Sequence, residues 1–407
     1  MIVARRTLLH AALGAPTLGA SILAARGARA QDRPIRIAVI NDQSGPYADL
    51  SGPGSLLAVR MAAADAAAAG LRRPVEVLVG DHQNKPDIGV SLIREWFATG
   101  VDCVVDVGNS AISLAAQPLA TQFDKLILHV ASTSSELAGR GCGPRGVQWA
   151  QNTYADAYGL ALGLLAAGKS RCFFITVDYA FGHAVEVDMA AAMRDGGGTV
   201  VGGVRHPLNT ADFASPLNTA ASSGAQVVVF ANSGSDFINS IKQAGEFGLS
   251  RGNQILAAPI AYLTDVHALG LEAAQGLQFV QSWYWDMDEP SRAWARRFFA
   301  DRRRMPTDLQ AGAYSAASHY LRAVAASGTA EARPVLDAMR SAPVEGFFAN
   351  GGRVAANNKL HFDLLLTEVK RPGDSRYPWD YLRVLSVIPG DAAFRKPSES
   401  GCSLAAG

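Results

Sequence analysis

Short apolar runs alternate along this chain with longer amphipathic or alanine-rich stretches, and Gly, Pro and Ser/Asn/Asp turns separate them. Ile35–Asn41 is an apolar run bounded by Pro34 and the Ser44-Gly45-Pro46 turn, which predicts a buried strand. Ser55–Ala69 is alanine-rich with Gly70 at its end and predicts a helix. Val75–Gly80 predicts a strand, Asp87–Thr99 a helix after Pro86, Asp102–Gly108 a strand, Ser110–Phe123 a helix and Leu126–Ala131 a strand. This alternation is the pattern of a parallel sheet covered on both faces. The pattern then restarts. Helices are predicted at Tyr154–Ala167, Phe181–Arg194, Phe213–Ser222 and Asp236–Phe247. Strands between and after them are predicted at Arg171–Val177, Val200–Val204, Gln226–Ala231 and Gln254–Ala258. Glu289–Arg304 and Leu309–Ala326 read as further helices, and His361–Val369 and Tyr381–Ile388 as late strands. The fold class is therefore α/β, with two doubly wound parallel-sheet lobes.

Right-handed crossovers put the carboxyl ends of the strands of each lobe along one edge, where open α/β sheets bind ligands. Two facing edges make a cleft. Its candidate lining follows the strands: Ser44–Tyr47, Asp81–Asn84, Asn109-Ser110 and Ala131–Thr133 from the first lobe. Asp178–Phe181, Asn232–Ser235 and Pro259–Tyr262 come from the second. Asn109-Ser110 directly precedes a helix, and Ser is a favoured N-cap; Ala131-Ser132-Thr133 leads into a short helical segment. Two adjacent helix starts bearing hydroxyls suit a carboxylate, although capping alone also accounts for Ser110.

The 407 residues suggest two domains, and the net charge of +1 gives no support for a nucleic-acid partner. That charge is set by the start of the chain. Removing the four arginines of 1–30 from the 37 basic residues leaves 33 against 36 acids, a net of −3. Residues 1–30 have a basic start, a mostly apolar stretch Thr7–Ala25 and Ala28-Arg29-Ala30, the layout of a secretory signal cleaved after Ala30. Ala4–Leu9 also resembles a twin-arginine export signal. Thr7–Ala25 is only 19 residues long and holds Gly14, Pro16 and Gly19, so it is a poor membrane span. A soluble periplasmic protein is expected. In that oxidising compartment disulfides persist. Cys103 and Cys172 sit in strand-like runs and read as buried thiols, whereas Cys142 and Cys402 lie in loops, where a bridge would staple the tail to the body. Four cysteines allow three pairings.

Chemistry signals are sparse. Gly163–Ser170 matches the phosphate-loop spacing, but it ends a helix and precedes a strand, the reverse of the order that cradles phosphate. No nucleophile elbow, dinucleotide fingerprint or zinc spacing occurs, so no cofactor, metal or catalytic residue is expected. Asp81-His82 reads as loop hydrogen bonding rather than a catalytic pair, and Arg296, Arg297 and Arg302–Arg304 as a solvated helix face or a contact surface for a membrane partner.

Ile35–Pro46, Asp81–Asp87, Ala131–Leu137, Asp178–Gly182 and Ile241–Leu249, in that order behind an export leader, resemble the branched-chain amino-acid-type (Leu/Ile/Val) solute-binding proteins of ABC importers. The resemblance spans nearly all of 31–400. It implies a type I periplasmic-binding fold, with lobes joined by a three-crossover hinge. Lobe 1 is expected at 31–149 plus about 283–345, and lobe 2 at 150–282 plus about 346–407. It also implies carboxylate binding by Ser110 and Ala131-Ser132-Thr133, beside Asn109, with an aromatic of the second lobe at Tyr179 or Phe181. The acids that hold a ligand ammonium in the amino-acid binders align near Tyr154 and near Ile260 or Ala261, where this chain has no carboxylate, although Asp156 is close to the first. An ammonium there lacks its charge-assisted partner. Tyr154, Tyr179 and Phe181 instead favour a carboxylate with a flat or apolar body. Phe347-Phe348, Pro378–Tyr381 and Ser398–Cys402 resemble a subgroup that includes aromatic-acid binders, in which the late Cys pairs with the one matching Cys142.

The expectation is a non-enzymatic, monomeric receptor that delivers a small carboxylate to an ABC permease. Asn232 and Trp285 are further ligand candidates, and Trp283 and Trp285 also fit ordinary packing. A sensor of the same fold and an exported hydrolase are the rival readings.

Overall fold

A computed structural model describes residues 33–249 and 254–405; the expected signal segment 1–30 lies outside them. The first lobe is built on a parallel sheet of β1 (Ile35–Asn41), β2 (Val75–Asp81), β3 (Cys103–Asp106), β4 (Leu126–His129) and β5 (Gly146–Gln148), in the order β2-β1-β3-β4-β5. The second has β6 (Arg171–Val177), β7 (Thr199–His206), β8 (Val227–Ala231) and β9 (Ile255–Ala257), also parallel, in the order β7-β6-β8-β9.

The burial of β1 explains why its sequence runs apolar rather than alternating. Ile35, Ile37 and Val39 belong to one core cluster, and Ala38 and Ile40 to another across the sheet. Helices Pro86–Ala98 and Ser110–Phe123 cover the second cluster through Ile93, Phe97, Ile112 and Ala116. Helix Gly52–Ala68 covers the first and packs against the late helix Asp308–Ser327. A strand buried on both faces needs apolar side chains at every position.

The late chain adds β10 (Gln278–Gln281), a ribbon of β11 (Arg353–Val354) with β12 (Leu360–His361), and β13 (Leu364–Val369) and β14 (Leu382–Ile388). Strands β10, β13 and β14 form an antiparallel sheet, with β10 packed on helix Thr153–Ala166 of the second lobe. The expected single strand His361–Val369 is broken after His361. There the Asp363 carboxylate accepts from Gly390 N at 2.8 Å and turns the chain. The helix expected to end at Arg304 stops at Arg302, because Arg303 takes a left-handed φ of 58°. Helix Ala332–Ser341 was not evident beforehand; its Pro334 sits in the first turn, where no intrahelical N–H is needed.

The chain leaves the first sheet after β5 and enters the second at β6, and it returns to the first lobe at helix Asp308–Ser327, which packs on helix Gly52–Ala68. The segments around Gln151, Ser282 and Asp308 interlock. Ser282 Oγ accepts from Gln151 N at 2.9 Å, and Asp308 Oδ2 accepts from Ser282 N at 3.0 Å and Gln151 Nε2 at 2.9 Å. The buried Lys359 Nζ donates to the carbonyls of Ala150 and Leu360. A disulfide joins Cys142 to Cys402, while Cys103 and Cys172 are buried free thiols.

Candidate functional site

The two sheet edges meet over a cavity whose free volume is about 30 Å³. Tyr47, Leu50, Ser51, Gly108, Ser110, Ala131, Thr133 and Leu309 line it from the first lobe, and Tyr179, Phe181, Ser233 and Tyr262 from the second. None of these side chains carries a charge.

On the first lobe, the turn after β1 is pinned by Asp42. Its carboxylate accepts from Gly45 N at 2.7 Å, Tyr47 N at 2.9 Å and Asn84 Nδ2 at 2.6 Å, so Tyr47 is held with little freedom. Asp106 and Val107, at the end of β3, have φ of 84° and 50°. Side chains rarely adopt this backbone, least of all a β-branched one, and such strain persists where surrounding structure enforces it. It turns the chain so that Gly108 and Ser110 reach the cavity. The helix cap is Asn109 rather than Ser110. Asn109 Oδ1 accepts from Ala111 N at 3.0 Å and Ile112 N at 3.2 Å, leaving the Ser110 hydroxyl to line the cavity. In Ala131-Ser132-Thr133 the outer two residues face the cavity. The Ser132 hydroxyl bonds instead to Ser113 Oγ at 2.7 Å and to the Val107 carbonyl. Ser132 thus braces the strained turn from behind.

On the second lobe, Tyr179 occupies the N-cap position of helix Ala180–Asp195, with its ring 5.9 Å from that of Phe181. Its hydroxyl meets Tyr47 OH at 2.9 Å across the cleft. Ser233 Oγ is buried without a hydrogen-bond partner among the described residues. Tyr262 is positioned by Asp265, whose carboxyl accepts from Tyr262 N at 3.0 Å.

Carboxyls lie behind this wall. Burial pushes Asp265 up to about 8, and Asp236, next to Ser233 and Ser235 in the chain, up to about 6. Asp106 and Asp308 are likewise raised to about 6 by burial. Proton uptake by these groups weakens the repulsion that an anion in the cavity meets.

Of the residues singled out in sequence, Ser110, Ala131, Thr133, Tyr179 and Phe181 come together at the cavity. Asn109 and Ser132 stand behind it as cap and brace. Tyr154 lies elsewhere, its ring tilted against that of Tyr158 at 4.3 Å and covered by the Arg395 guanidinium at 4.3 Å. Asn232 Nδ2 is engaged with His206 Nε2 at 3.2 Å and Ser240 Oγ at 3.4 Å. Trp285 Nε1 donates to the Trp379 carbonyl at 3.1 Å, inside an aromatic cluster. Tyr47, Ser233 and Tyr262 fall within the post-strand stretches read from sequence. Leu50, Ser51, Gly108 and Leu309 do not, since Leu50 and Ser51 lie beyond the Ser44–Tyr47 stretch, Gly108 reads in sequence as the end of its strand, and Leu309 comes from a late helix.

The remaining sequence signals resolve into structure. Gly163 is inside helix Thr153–Ala166, and Gly168 follows that helix with φ 72°. His82 is buried, takes Asn84 N on Nδ1 at 3.0 Å, and burial lowers it to about 4. Arg297 pairs with Asp65, Arg304 with Asp49 and Arg296 with Glu289. Among the described residues no cluster of His, Cys, Asp or Glu could hold a metal, and no helix is long and apolar enough to cross a membrane.

Two parallel-sheet lobes closing over an uncharged, ring- and hydroxyl-lined cavity define a two-lobed ligand-binding protein. Residues 34–375 match the family described as periplasmic binding protein, and the chain belongs to that family. It is 41% identical to a periplasmic binding protein from Burkholderia mallei, covering 91% of this chain and 99% of that one, with a TM-score of 0.88. It is 36% identical to a branched-chain amino acid ABC transporter periplasmic ligand-binding protein from Burkholderia xenovorans, covering 91% and 100%, with a TM-score of 0.80. An ABC transporter solute-binding protein from R. palustris in complex with benzoate has the same fold at 17% identity, covering 91% and 99%, with a TM-score of 0.78. The chain is also 27% identical, over 59% of its length, to Leu/Ile/Val-binding protein homolog 6 of Brucella melitensis, and the match spans 62% of that curated relative.

Proposed function

We propose that this protein is the periplasmic receptor of an ABC importer, closing over a small carboxylate and presenting it to a membrane permease. Lobe 1 then comprises 31–149 plus about 283–345, and lobe 2 comprises 150–282 plus about 346–407, after export directed by residues 1–30. It acts as a monomer and without chemistry on its ligand. One observation carries the ligand class: no acidic side chain lines the cavity. An amino acid buried there leaves its ammonium without a charged partner, which costs several kcal/mol. An acid with a flat body leaves nothing unpaired. The Ser110 and Thr133 hydroxyls donate to its carboxylate, while Tyr179, Phe181 and Tyr262 pack its rings. Aromatic or other organic acids are therefore favoured over Leu, Ile and Val. The free volume of about 30 Å³ has room for little more than water, so a benzoate-sized ligand enters as the lobes part.

A thermal-shift and calorimetric comparison of benzoate-type acids, aliphatic keto acids and Leu/Ile/Val tests this reading, since a ligand bound to the native state raises its stability. Aromatic or keto acids are expected to stabilise the protein. Ser110→Ala is expected to weaken their binding about ten-fold or more, the size of a lost hydrogen bond to a charged group. Strong stabilisation by leucine with none by benzoate-type acids overturns the ligand class, and turnover of any of them overturns the receptor role.

A further inference from the structure

We infer that the hydroxyls of Tyr47 and Tyr179 form a latch between the lobes, which scales the affinity for every ligand by the same factor instead of reading the ligand. The inference rests on the receptor reading of the cleft. Both tyrosines line the cavity, and a ligand contact is the ordinary assignment for such residues. Their hydroxyls, however, bond to each other at 2.9 Å, from opposite lobes.

The surroundings are built for this contact. On the first lobe, the two Asp42 bonds to Gly45 N and Tyr47 N hold the turn rigid. On the second, Ser235 N donates to the Pro46 carbonyl at 3.3 Å, one residue from Tyr47. Gly234 lies against the same turn with φ +61°; a Cβ there would sit 2.3 Å from the Pro46 oxygen and 2.9 Å from Tyr47 Cδ1. The backbone of the second lobe therefore meets the Pro46-Tyr47 turn directly, with no side chain between them at Gly234. A second interlobe contact stands further along the cleft, where Ser135 Oγ donates to Asp188 Oδ2 at 2.6 Å.

Both partners of the tyrosine bond belong to the protein, so the bond uses no atom of the ligand. When the lobes part, each hydroxyl returns to water. The net gain on closing is that of one neutral hydrogen bond, about two- to ten-fold in the closed-to-open ratio. A receptor whose competent state is the closed one passes that factor to every apparent affinity alike.

The test is a double-mutant cycle of Tyr47→Phe, Tyr179→Phe and the double variant, with affinities for several ligands of the acid panel. Each single variant is expected to lose about two- to ten-fold, by the same ratio for every ligand. The double variant is expected to lose no more than a single one, because the second hydroxyl has no partner left to lose. Losses that multiply in the double variant, or that differ between ligands, overturn the latch and make the hydroxyls ligand contacts. Solution scattering of the ligand-free proteins needs no ligand. Either Phe variant is expected to be more extended than wild type, and identical profiles overturn the latch. If wild type binds no acid, the receptor reading's ligand class fails and scattering alone decides the latch.

Discussion

His129 is buried in β4, where its Nδ1 meets Ser113 Oγ at 2.9 Å and its Nε2 has no partner among the described residues. Burial lowers its pKa to about 3. In the unfolded chain a histidine takes a proton near pH 6.5. Between these values the unfolded state binds a proton that the folded state refuses. The stabilising effect is thus complete above about 6.5 and is lost as pH falls towards 3. His129→Gln is expected to flatten the acid limb of the stability curve by up to about 1.4 kcal/mol per pH unit, read from urea unfolding between pH 6 and 4. An unchanged slope means that His129 is charged in the fold. This residue shows what a sequence withholds: nothing in Leu126–Ala131 marks His129 as neutral, because its state is set by the helix packed over it. Ser110 was legible as a cleft residue from its place after a strand, yet its neighbour Asn109 performs the capping.

At the scale of elements, Gly182 decides how closely helix Ala180–Asp195 approaches β6. A Cβ there would lie 2.0 Å from the Val177 carbonyl oxygen and 2.8 Å from its Cγ1. Gly182→Ala is expected to cost about 1–3 kcal/mol in chemical denaturation, the range for an overpacked interior. It is also expected to weaken ligand binding, since the shift displaces Tyr179 and Phe181; full stability in the variant refutes the close approach. β1, helix Ser110–Phe123 and β6 have the limits read from sequence. Their boundaries are written locally by Pro, Gly and Asn. The short strands β5 and β10 and the helices Leu263–Leu269 and Leu271–Ala274 were not evident. Each has too few residues to show a period, and their formation depends on a neighbouring strand or wall.

Over the whole molecule, the tail bridges the lobes. After β14, Phe394 packs near His361 and Phe362, and Arg395 covers Tyr154. Cys402 then closes the disulfide with Cys142 of the first lobe, across a separation of 260 residues. Replacing both cysteines by serine is expected to cost about 2–4 kcal/mol in reversible unfolding. A variant as stable as the wild type means that packing alone holds the tail. The alternation of apolar runs and helices determined the two parallel sheets. It did so because strand and helix periods are local properties of the chain. The likeness to ABC-importer receptors was also legible in order along the sequence. Only the tertiary structure decided which hydroxyls face the cavity, that Tyr154, Asn232 and Trp285 stand away from it, and that Tyr47 meets Tyr179. Those outcomes depend on side-chain direction and on contacts between residues distant in the chain, 132 positions apart for Tyr47 and Tyr179, which no local pattern encodes.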